Sequence, residues 1–129
     1  MIVVDTSAVL SAVVGRPHVV GLRERLGAEE LHAPHLLDVE ILHALRQLVA
    51  GKRLSPGRAD EAREDLDDLA IVRYPHTPLA DRIWQLRGAL TAYDAAFVSL
   101  AERLGSPLIT CDGRLARSSG HSAAIELLA

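Results

Sequence analysis

Four acidic residues scattered along the chain are the candidates for chemistry, and they are Asp5, Glu40, Asp94 and Asp112. Asp5 directly follows the apolar run 2–4, and Asp112 comes just after the apolar run 108–110. In open α/β sheets, sites form beyond the carboxyl ends of the strands, so both carboxylates are expected at one site. A carboxylate in such a place is costly unless it is paired or bound to a cation.

The sequence pattern places the other two acids on helices. Glu40 lies one position before Ile41, within an amphipathic segment and close to its buried face. Asp94 stands at the start of a helical segment, where it could simply favour the helix N-terminus. Asp5 and Asp112 could equally cap the helices that follow them. Each acid alone therefore has a structural explanation, and their joint placement is what favours function.

Four carboxylates brought together repel one another unless they are protonated or neutralised. A hard divalent cation resolves this repulsion, and Mg²⁺ prefers oxygen ligands. Such a site activates water and stabilises the charge that develops on a phosphoryl group. We therefore predict metal-assisted hydrolysis of a phosphodiester, in which Thr6, Ser7 and Thr110 orient the ligands or bound water by hydrogen bonds.

Composition bounds the class of protein. The chain has 129 residues, nearly half of them apolar, which predicts one domain, 1–129, with a sizeable aliphatic core. With four aromatic residues, it is not expected to hold nucleic acid mainly by base stacking. The net charge of −3 argues against a non-specific nucleic-acid binder. Thirteen of the basic residues are arginine and one is lysine, which suits bidentate phosphate contacts, although genomic GC content could produce the same bias.

Cysteine usage and hydropathy bear on the compartment. The single cysteine, Cys111, excludes an intramolecular disulfide and fits a reducing environment. The first residues lack the basic and apolar regions of a signal peptide, and no apolar run approaches the ~20 residues of a membrane span. We therefore expect a cytoplasmic protein without a membrane partner.

Short strands that alternate with helices must position the acids. Apolar runs predict strands at 2–4, 31–33, 71–73, 108–110 and 124–127. Periodicity, caps and prolines predict helices at 8–14, 18–26, 36–50, 56–69, 78–87 and 93–104, and a short one near Leu115. Thr6 or Ser7 is expected to cap the first helix, and Thr77 the helix that begins at Pro78. This alternation predicts an α/β fold with a mostly parallel sheet and helices on both faces.

Three segments of the chain resemble the acidic motifs of one family, the PIN-domain nucleases. Val3-Val4-Asp5-Thr6-Ser7-Ala8 resembles their opening strand, and Glu40 falls where the family places its second acid. Tyr93-Asp94-Ala95-Ala96, with Leu100-Ala101-Glu102, resembles the third acidic motif. Pro107-Leu108-Ile109-Thr110-Cys111-Asp112, followed by Arg114-Leu115-Ala116, resembles the fourth. The motifs occur in order over nearly the whole chain, and the set is specific although each motif alone is weak.

At this length the chain most resembles the toxin half of a VapBC toxin–antitoxin pair. The resemblance implies a PIN-like three-layer sandwich and an endoribonuclease dependent on Mg²⁺ or Mn²⁺, selective for tRNA or ribosomal RNA. It also implies a homodimer inhibited by a VapB-like antitoxin, which would lay a helix and an extended tail over the active site. In this hypothesis Asp5, Asp94 and Asp112 are the principal metal ligands. Glu40 binds the metal directly or through water, or helps to activate the attacking water.

Other α/β and metal-site classes fit the residues less well. A haloacid-dehalogenase-like phosphatase needs a second acid two residues after Asp5, where Ser7 stands. A receiver domain needs an acidic pair near the first strand and a lysine after a late strand, and neither is seen. A di-iron site is hinted at by Glu40-x-x-His43, but it needs two such motifs and the chain has one.

The main alternative is a non-catalytic PIN-like protein-binding module. Degenerate versions would be expected to lose one or more acids, and all four stand here. Aliphatic residues of the first two helices could form a groove for an antitoxin helix, or be ordinary core: Val13, Val19, Val20 and Leu22. Rim arginines could bind the RNA backbone, or be plain surface residues: Arg16, Arg87, Arg114 and Arg117.

Overall fold

A five-stranded parallel sheet forms the centre of the computed structural model, which describes all 129 residues. The strands are β1 (Ile2–Val4), β2 (Leu31–Pro34), β3 (Ile71–Tyr74), β4 (Leu108–Thr110) and β5 (Ile125–Leu127). Their order is β3-β2-β1-β4-β5, and every neighbouring pair is parallel. Val4 of β1 is in register with Ile109 of β4, so the chain leaves both strands at the same edge. The predicted α/β sheet is confirmed, and it is parallel throughout.

Seven helices pack as two groups on this sheet. They are α1 (Thr6–Val14), α2 (Leu22–Gly27), α3 (Leu36–Ala50), α4 (Pro56–Asp68), α5 (Ala80–Gln85), α6 (Ala92–Leu104) and α7 (Gly113–Ala116). The α1 helix packs on α2, α3 and α4, whereas α5 packs on α6, which contacts β1, β2 and β4. The result is the three-layer sandwich expected from the resemblance. No helix of the structure has the length and hydropathy of a membrane-spanning segment.

Two helices begin later than the sequence predicts. The second starts at Leu22 rather than near His18, because Gly21 adopts a left-handed conformation with φ of 80° and Val19 turns into the core. The segment after Thr77 begins as a 3₁₀ turn, Thr77–Leu79, and becomes α-helical only at Ala80. The predicted caps at Thr77 and at Thr6 or Ser7 are both wrong, because the 3₁₀ turn already includes Thr77 and because Asp5 caps α1, which includes Thr6 and Ser7.

The core is aliphatic, with Phe97 as its one buried phenylalanine. Val13, Val19 and Leu22 belong to this core and are at most 8% exposed. Only Val20 of the aliphatic set on the first two helices reaches solvent, at 82% exposed. Three of the four residues are therefore ordinary core, although Val19, Val20 and Leu22 also line a hollow of about 330 Å³ beside the end of α1.

Glu102, near the end of α6, joins three parts of the chain. It accepts two hydrogen bonds from the Arg82 guanidinium, at 2.8 and 2.9 Å, and two from the backbone N–H and hydroxyl of Ser122, at 2.9 and 3.0 Å. These donors favour the ionised form, with Arg82 the largest influence, and lower the pKa of Glu102 to about 2. The carboxylate thus ties α5 and the segment before β5 to α6.

Glu102→Gln is expected to destabilise the fold at neutral pH and to remove part of its acid sensitivity. Because the folded-state pKa lies below that of the unfolded chain, the stabilisation is present above the unfolded pKa and is lost as pH falls through both values. We expect about 2 kcal/mol at pH 7, below the full linkage value because Arg82 is partly exposed to solvent. Urea denaturation at pH 7 and near pH 2 measures this. Glu64→Gln, an exposed change on α4, is the control. A gap between wild type and Glu102→Gln that stays constant with pH would contradict the assignment.

Candidate active site

Asp5 connects β1 to α1 and is buried, with 5% of its surface exposed. Its Oδ1 accepts hydrogen bonds from the Ala8 backbone N–H at 2.9 Å and from the Ser7 hydroxyl at 2.8 Å. Its Oδ2 accepts one from the Thr110 hydroxyl at 2.5 Å. Since an ionised carboxylate offers about four lone-pair positions, one position on Oδ2 stays open. Burial raises the pKa of Asp5, and the nearby charge of Asp112 raises it further.

Thr110 and Ser7 link the ends of β1 and β4. The Thr110 hydroxyl accepts a hydrogen bond from the Asp112 backbone N–H at 2.9 Å while it donates to Asp5. The Ser7 hydroxyl accepts one from the Cys111 backbone N–H at 2.9 Å and lies 3.2 Å from the Thr110 hydroxyl. Both residues, which the sequence suggests as supporting groups, therefore touch the acid that they were expected to orient.

Asp112 caps α7 and also faces the solvent side of the site. Its Oδ1 accepts hydrogen bonds from the Arg114 and Leu115 backbone N–H groups, at 2.9 and 3.4 Å. Its Oδ2 accepts one from the Arg114 guanidinium at 3.1 Å. One oxygen thus satisfies the helix, and the other is available for a cation.

Asp94 approaches Asp112 through the same guanidinium. The Arg114 Nη2 lies 3.3 Å from Asp94 Oδ2 while it contacts Asp112, so one cation bridges the two carboxylates. The charges of Asp94 and Asp112, in that order, raise the pKa of Arg114. Asp94 is free for this contact because Thr91, one residue before α6, supplies the helix cap instead.

Glu40 lies in the second turn of α3 and is held by Thr6. The Thr6 hydroxyl donates a hydrogen bond to Glu40 Oε1 at 2.5 Å. A hollow beside Glu40 has a lining that includes Thr6, Glu40, His43 and Tyr93. Tyr93 directly precedes Asp94, so the start of α6 lies across this hollow from Glu40. His43 is exposed there, and no second Glu-x-x-His motif exists to make a di-iron site with it.

The four acids therefore lie along one edge of the sheet, connected by intermediaries. Asp94 and Asp112 share Arg114, Asp5 and Asp112 share Thr110, and Glu40 is bonded to the residue after Asp5. No three of the chain's Asp, Glu, His and Cys side chains form a closed metal-binding group. The donor set nevertheless suits a hard divalent cation, since all four donors are carboxylates, one is buried with an open lone pair, and two share the positive charge of Arg114.

Comparison with known proteins decides the family. The sequence model of the PIN domain matches residues 2–120. Ribonuclease VapC12 of Mycobacterium tuberculosis is 43% identical over 129 residues, which are 100% of this chain and 100% of that protein. The chain belongs to the PIN-domain family, in its VapC branch.

Solved structures share the fold of this PIN domain. A Pyrobaculum aerophilum protein, PAE2754, superposes with a TM-score of 0.71 at 26% identity, covering 96% of this chain and 81% of that one. VapBC2 of Rickettsia felis, described as bound to a DNA fragment from its promoter, superposes with a TM-score of 0.70 at 13% identity and covers 100% of both chains. The PIN-like architecture expected from the sequence motifs is thus confirmed.

Arg114 is the part of the site that the sequence did not place. The sequence puts it among several possible rim arginines, whereas in the structure it bridges two of the acids. Its position two residues after Asp112, at the first turn of a helix, is a signal that could have been used. Cys111 is no candidate nucleophile, because burial raises the pKa of its thiol and the charge of Asp5 raises it further.

Proposed function

We propose that this PIN domain is a metal-dependent endoribonuclease that hydrolyses RNA phosphodiester bonds. The observation that carries the proposal is the sharing of Arg114 by Asp94 and Asp112 beside the buried Asp5. Both carboxylates contact one guanidinium, and a divalent ion would neutralise them better than that single charge does. The ribonuclease names of full-length relatives at 43% identity support the choice of RNA as substrate.

In this proposal each residue of the site has a distinct role. Asp5, through Oδ2, together with Asp94 and Asp112, would hold Mg²⁺ or Mn²⁺, which when bound activates water and stabilises phosphoryl charge. Glu40 would hold the attacking water or accept its proton, and Thr6 fixes the orientation of the Glu40 carboxylate. The water oxygen forms a bond to phosphorus, the bond from phosphorus to the leaving ribose oxygen breaks, and that oxygen takes up a proton. Arg114, with its fork of donors, suits a phosphate oxygen once it leaves the acids.

Removal of divalent metal is expected to abolish RNA cleavage. The purified protein is incubated with total RNA in Mg²⁺, in Mn²⁺ and after thorough chelation with EDTA. We expect a loss of at least 10²–10³-fold with EDTA, since metal assistance is worth several kcal/mol of transition-state stabilisation. Adding Mg²⁺ back in excess over the chelator should restore cleavage. Activity that persists after chelation would refute metal dependence, and the absence of cleavage under all conditions would favour the non-catalytic binding module.

We further propose that the domain is a toxin that cleaves tRNA or ribosomal RNA and is neutralised by a VapB-like antitoxin. The VapC names of the relatives and the VapBC2 fold support this assignment.

Exposed apolar side chains that line the hollow beside Glu40 would suit a covering partner: Val39 on α3 and Tyr93 on α6. We also propose a homodimer. Sequencing RNA 5′ ends after induced expression, with and without the product of an adjacent small gene, would identify the target and the inhibitor.

A further inference from the structure

A cluster of cations lies at the far ends of the helices that carry the site, and we propose that it binds the RNA phosphate backbone. This basic hollow has a volume of about 560 Å³, and Arg16, Lys52, Arg53 and Arg58 are its charged lining. The inference rests on the proposed ribonuclease function and names a second surface that the substrate would contact.

The basic hollow concentrates positive charge in a chain that is acidic overall. The protein carries a net charge of −3, yet four cations meet here. Only Arg58 has an acidic partner, Glu61 at 3.6 Å, whereas Arg16, Lys52 and Arg53 form no salt bridge. A surface of uncompensated cations attracts a polyanion, and arginine matches phosphate geometry in particular.

Two of these cations make hydrogen bonds within the protein, so the other two are the better ones to test. Arg58 donates to the Val13 and Val14 carbonyls at 2.8 and 3.1 Å, so it satisfies the end of α1. Arg16 donates to the Arg53 carbonyl at 2.7 Å. The Lys52 and Arg53 side chains donate no hydrogen bond to the protein and are exposed. Their charges are therefore free for a ligand.

The end of α3 places Lys52 at the basic hollow. Lys52 has a φ of 56°, in the left-handed region that favours glycine, and it is the only non-glycine residue of the chain with a positive φ. It is also the only lysine in the chain. This left-handed turn ends α3, since the Lys52 and Arg53 backbone N–H groups donate to the Val49 and Leu48 carbonyls at 3.0 and 2.9 Å, and it leaves the Lys52 charge unpaired at the surface.

The position of the basic hollow suits an RNA that also reaches the acids. Asp5 caps the start of α1, and Arg16 follows its end, so the nine residues of α1 separate them by about 14 Å. From Glu40 to the end of α3 the rise is also about 15 Å. At one phosphate per ~3.4 Å along a helical strand, about four phosphates would span this distance. Because the acidic edge repels RNA until metal binds, an anchor at this distance would hold the strand in place.

The test measures RNA binding in EDTA, where no cleavage is expected. Fluorescence anisotropy with a labelled hairpin RNA compares wild type with Arg53→Gln, Lys52→Gln/Arg53→Gln and Arg53→Lys. We expect about a threefold weaker affinity for the single change and about tenfold for the double, with the salt slope reduced by about 0.7–0.9 per lost charge. Arg53→Lys keeps the charge and should bind nearly as wild type does.

Arg63→Gln is the matched control, because it removes one charge from the exposed, acid-rich face of α4. It should change the affinity less than twofold. Equal losses for Arg63→Gln and Arg53→Gln, or an unchanged affinity in the double variant, would overturn the proposal. So would a double variant that alters only the oligomeric state in sedimentation, since this hollow would then bind protein. Binding in EDTA is independent of cleavage, so loss of the proposed enzyme activity would leave this result readable.

Discussion

Replacing Asp5 by asparagine is expected to abolish RNA cleavage while leaving the fold at least as stable as wild type at neutral pH without metal. Burial raises the pKa of Asp5 above its unfolded value, so its ionised form is disfavoured in the folded protein. The resulting destabilisation is absent below the unfolded pKa, grows as pH rises and is complete above the folded pKa. Asparagine never ionises, so it removes this penalty, and its Oδ1 can still accept from Ala8 and Ser7.

The loss of activity has a different origin. Asparagine lacks the negative charge that the open position on Asp5 Oδ2 would offer to a divalent cation. We expect cleavage to fall by at least 10²–10³-fold, the scale of a metal-assisted step. Thermal unfolding gives a second readout, because a ligand that binds only the folded state raises the melting temperature. Mn²⁺ should therefore raise the melting temperature of wild type and not that of Asp5→Asn.

Asp65→Asn is the control for this pair of measurements, since Asp65 is exposed on α4, away from the site. It should retain both cleavage and the response to Mn²⁺. An Asp5→Asn protein that still cleaves RNA, or that is stabilised by Mn²⁺ as strongly as wild type, would remove Asp5 from the metal site. A large drop in stability without metal would show that the fold needs the hydrogen bond from Thr110 to Oδ2, an acceptor that asparagine lacks.

The sequence offers capping and metal binding as alternatives for Asp5 and Asp112, and the structure makes them compatible. In each residue Oδ1 accepts the backbone N–H groups that begin the following helix. The second oxygen of each residue points elsewhere, to Thr110 in one case and to Arg114 in the other. A carboxylate at a strand-to-helix junction can therefore cap with one oxygen and present the other to a ligand. Helix capping by these two acids is therefore compatible with metal binding.

Features set by local patterns were predictable, and those set by packing across the chain were not. The bounds of α3 follow from its apolar periodicity and the terminal Gly51, and the two strand ends follow from short apolar runs. The late start of α2 depends on Val19 entering the core, which periodicity alone does not reveal. The Arg114 bridge joins α6 to α7 across twenty residues of sequence, and it depends on how the two helix starts meet.

The same limit applies to Thr110, whose position the sequence gives but whose contacts it does not. Its side chain is 0% exposed, and its hydroxyl contacts Asp5, Ser7 and the Asp112 backbone. Thr110→Val keeps the shape of the side chain and removes that hydroxyl. It leaves Asp5 Oδ2 without its donor and the Asp112 N–H without its acceptor. We expect a destabilisation of about 2–4 kcal/mol, since each buried unsatisfied group costs about 1–3 kcal/mol.

In thermal unfolding this destabilisation corresponds to a melting temperature lower by roughly 10 °C. Cleavage, measured at a temperature where both proteins are folded, should fall by about 10–100-fold, the usual effect of losing a group that orients a metal ligand. Burial of Asp5 with one donor fewer should raise its pKa further, which moves the acidic limb of the pH–rate profile to higher pH.

Thr110→Ser separates the hydroxyl from the methyl group. It keeps the three contacts of the hydroxyl and loses one buried methyl, so it should cost about 1 kcal/mol and retain near-normal cleavage. Equal activity in the valine and serine variants would show that Thr110 only fills space between β4 and α1. A valine variant that is destabilised as expected yet cleaves normally would assign the hydroxyl to the fold alone. The shift of the pH profile distinguishes these cases, because a purely structural role leaves the ionisation of Asp5 in the active protein unchanged.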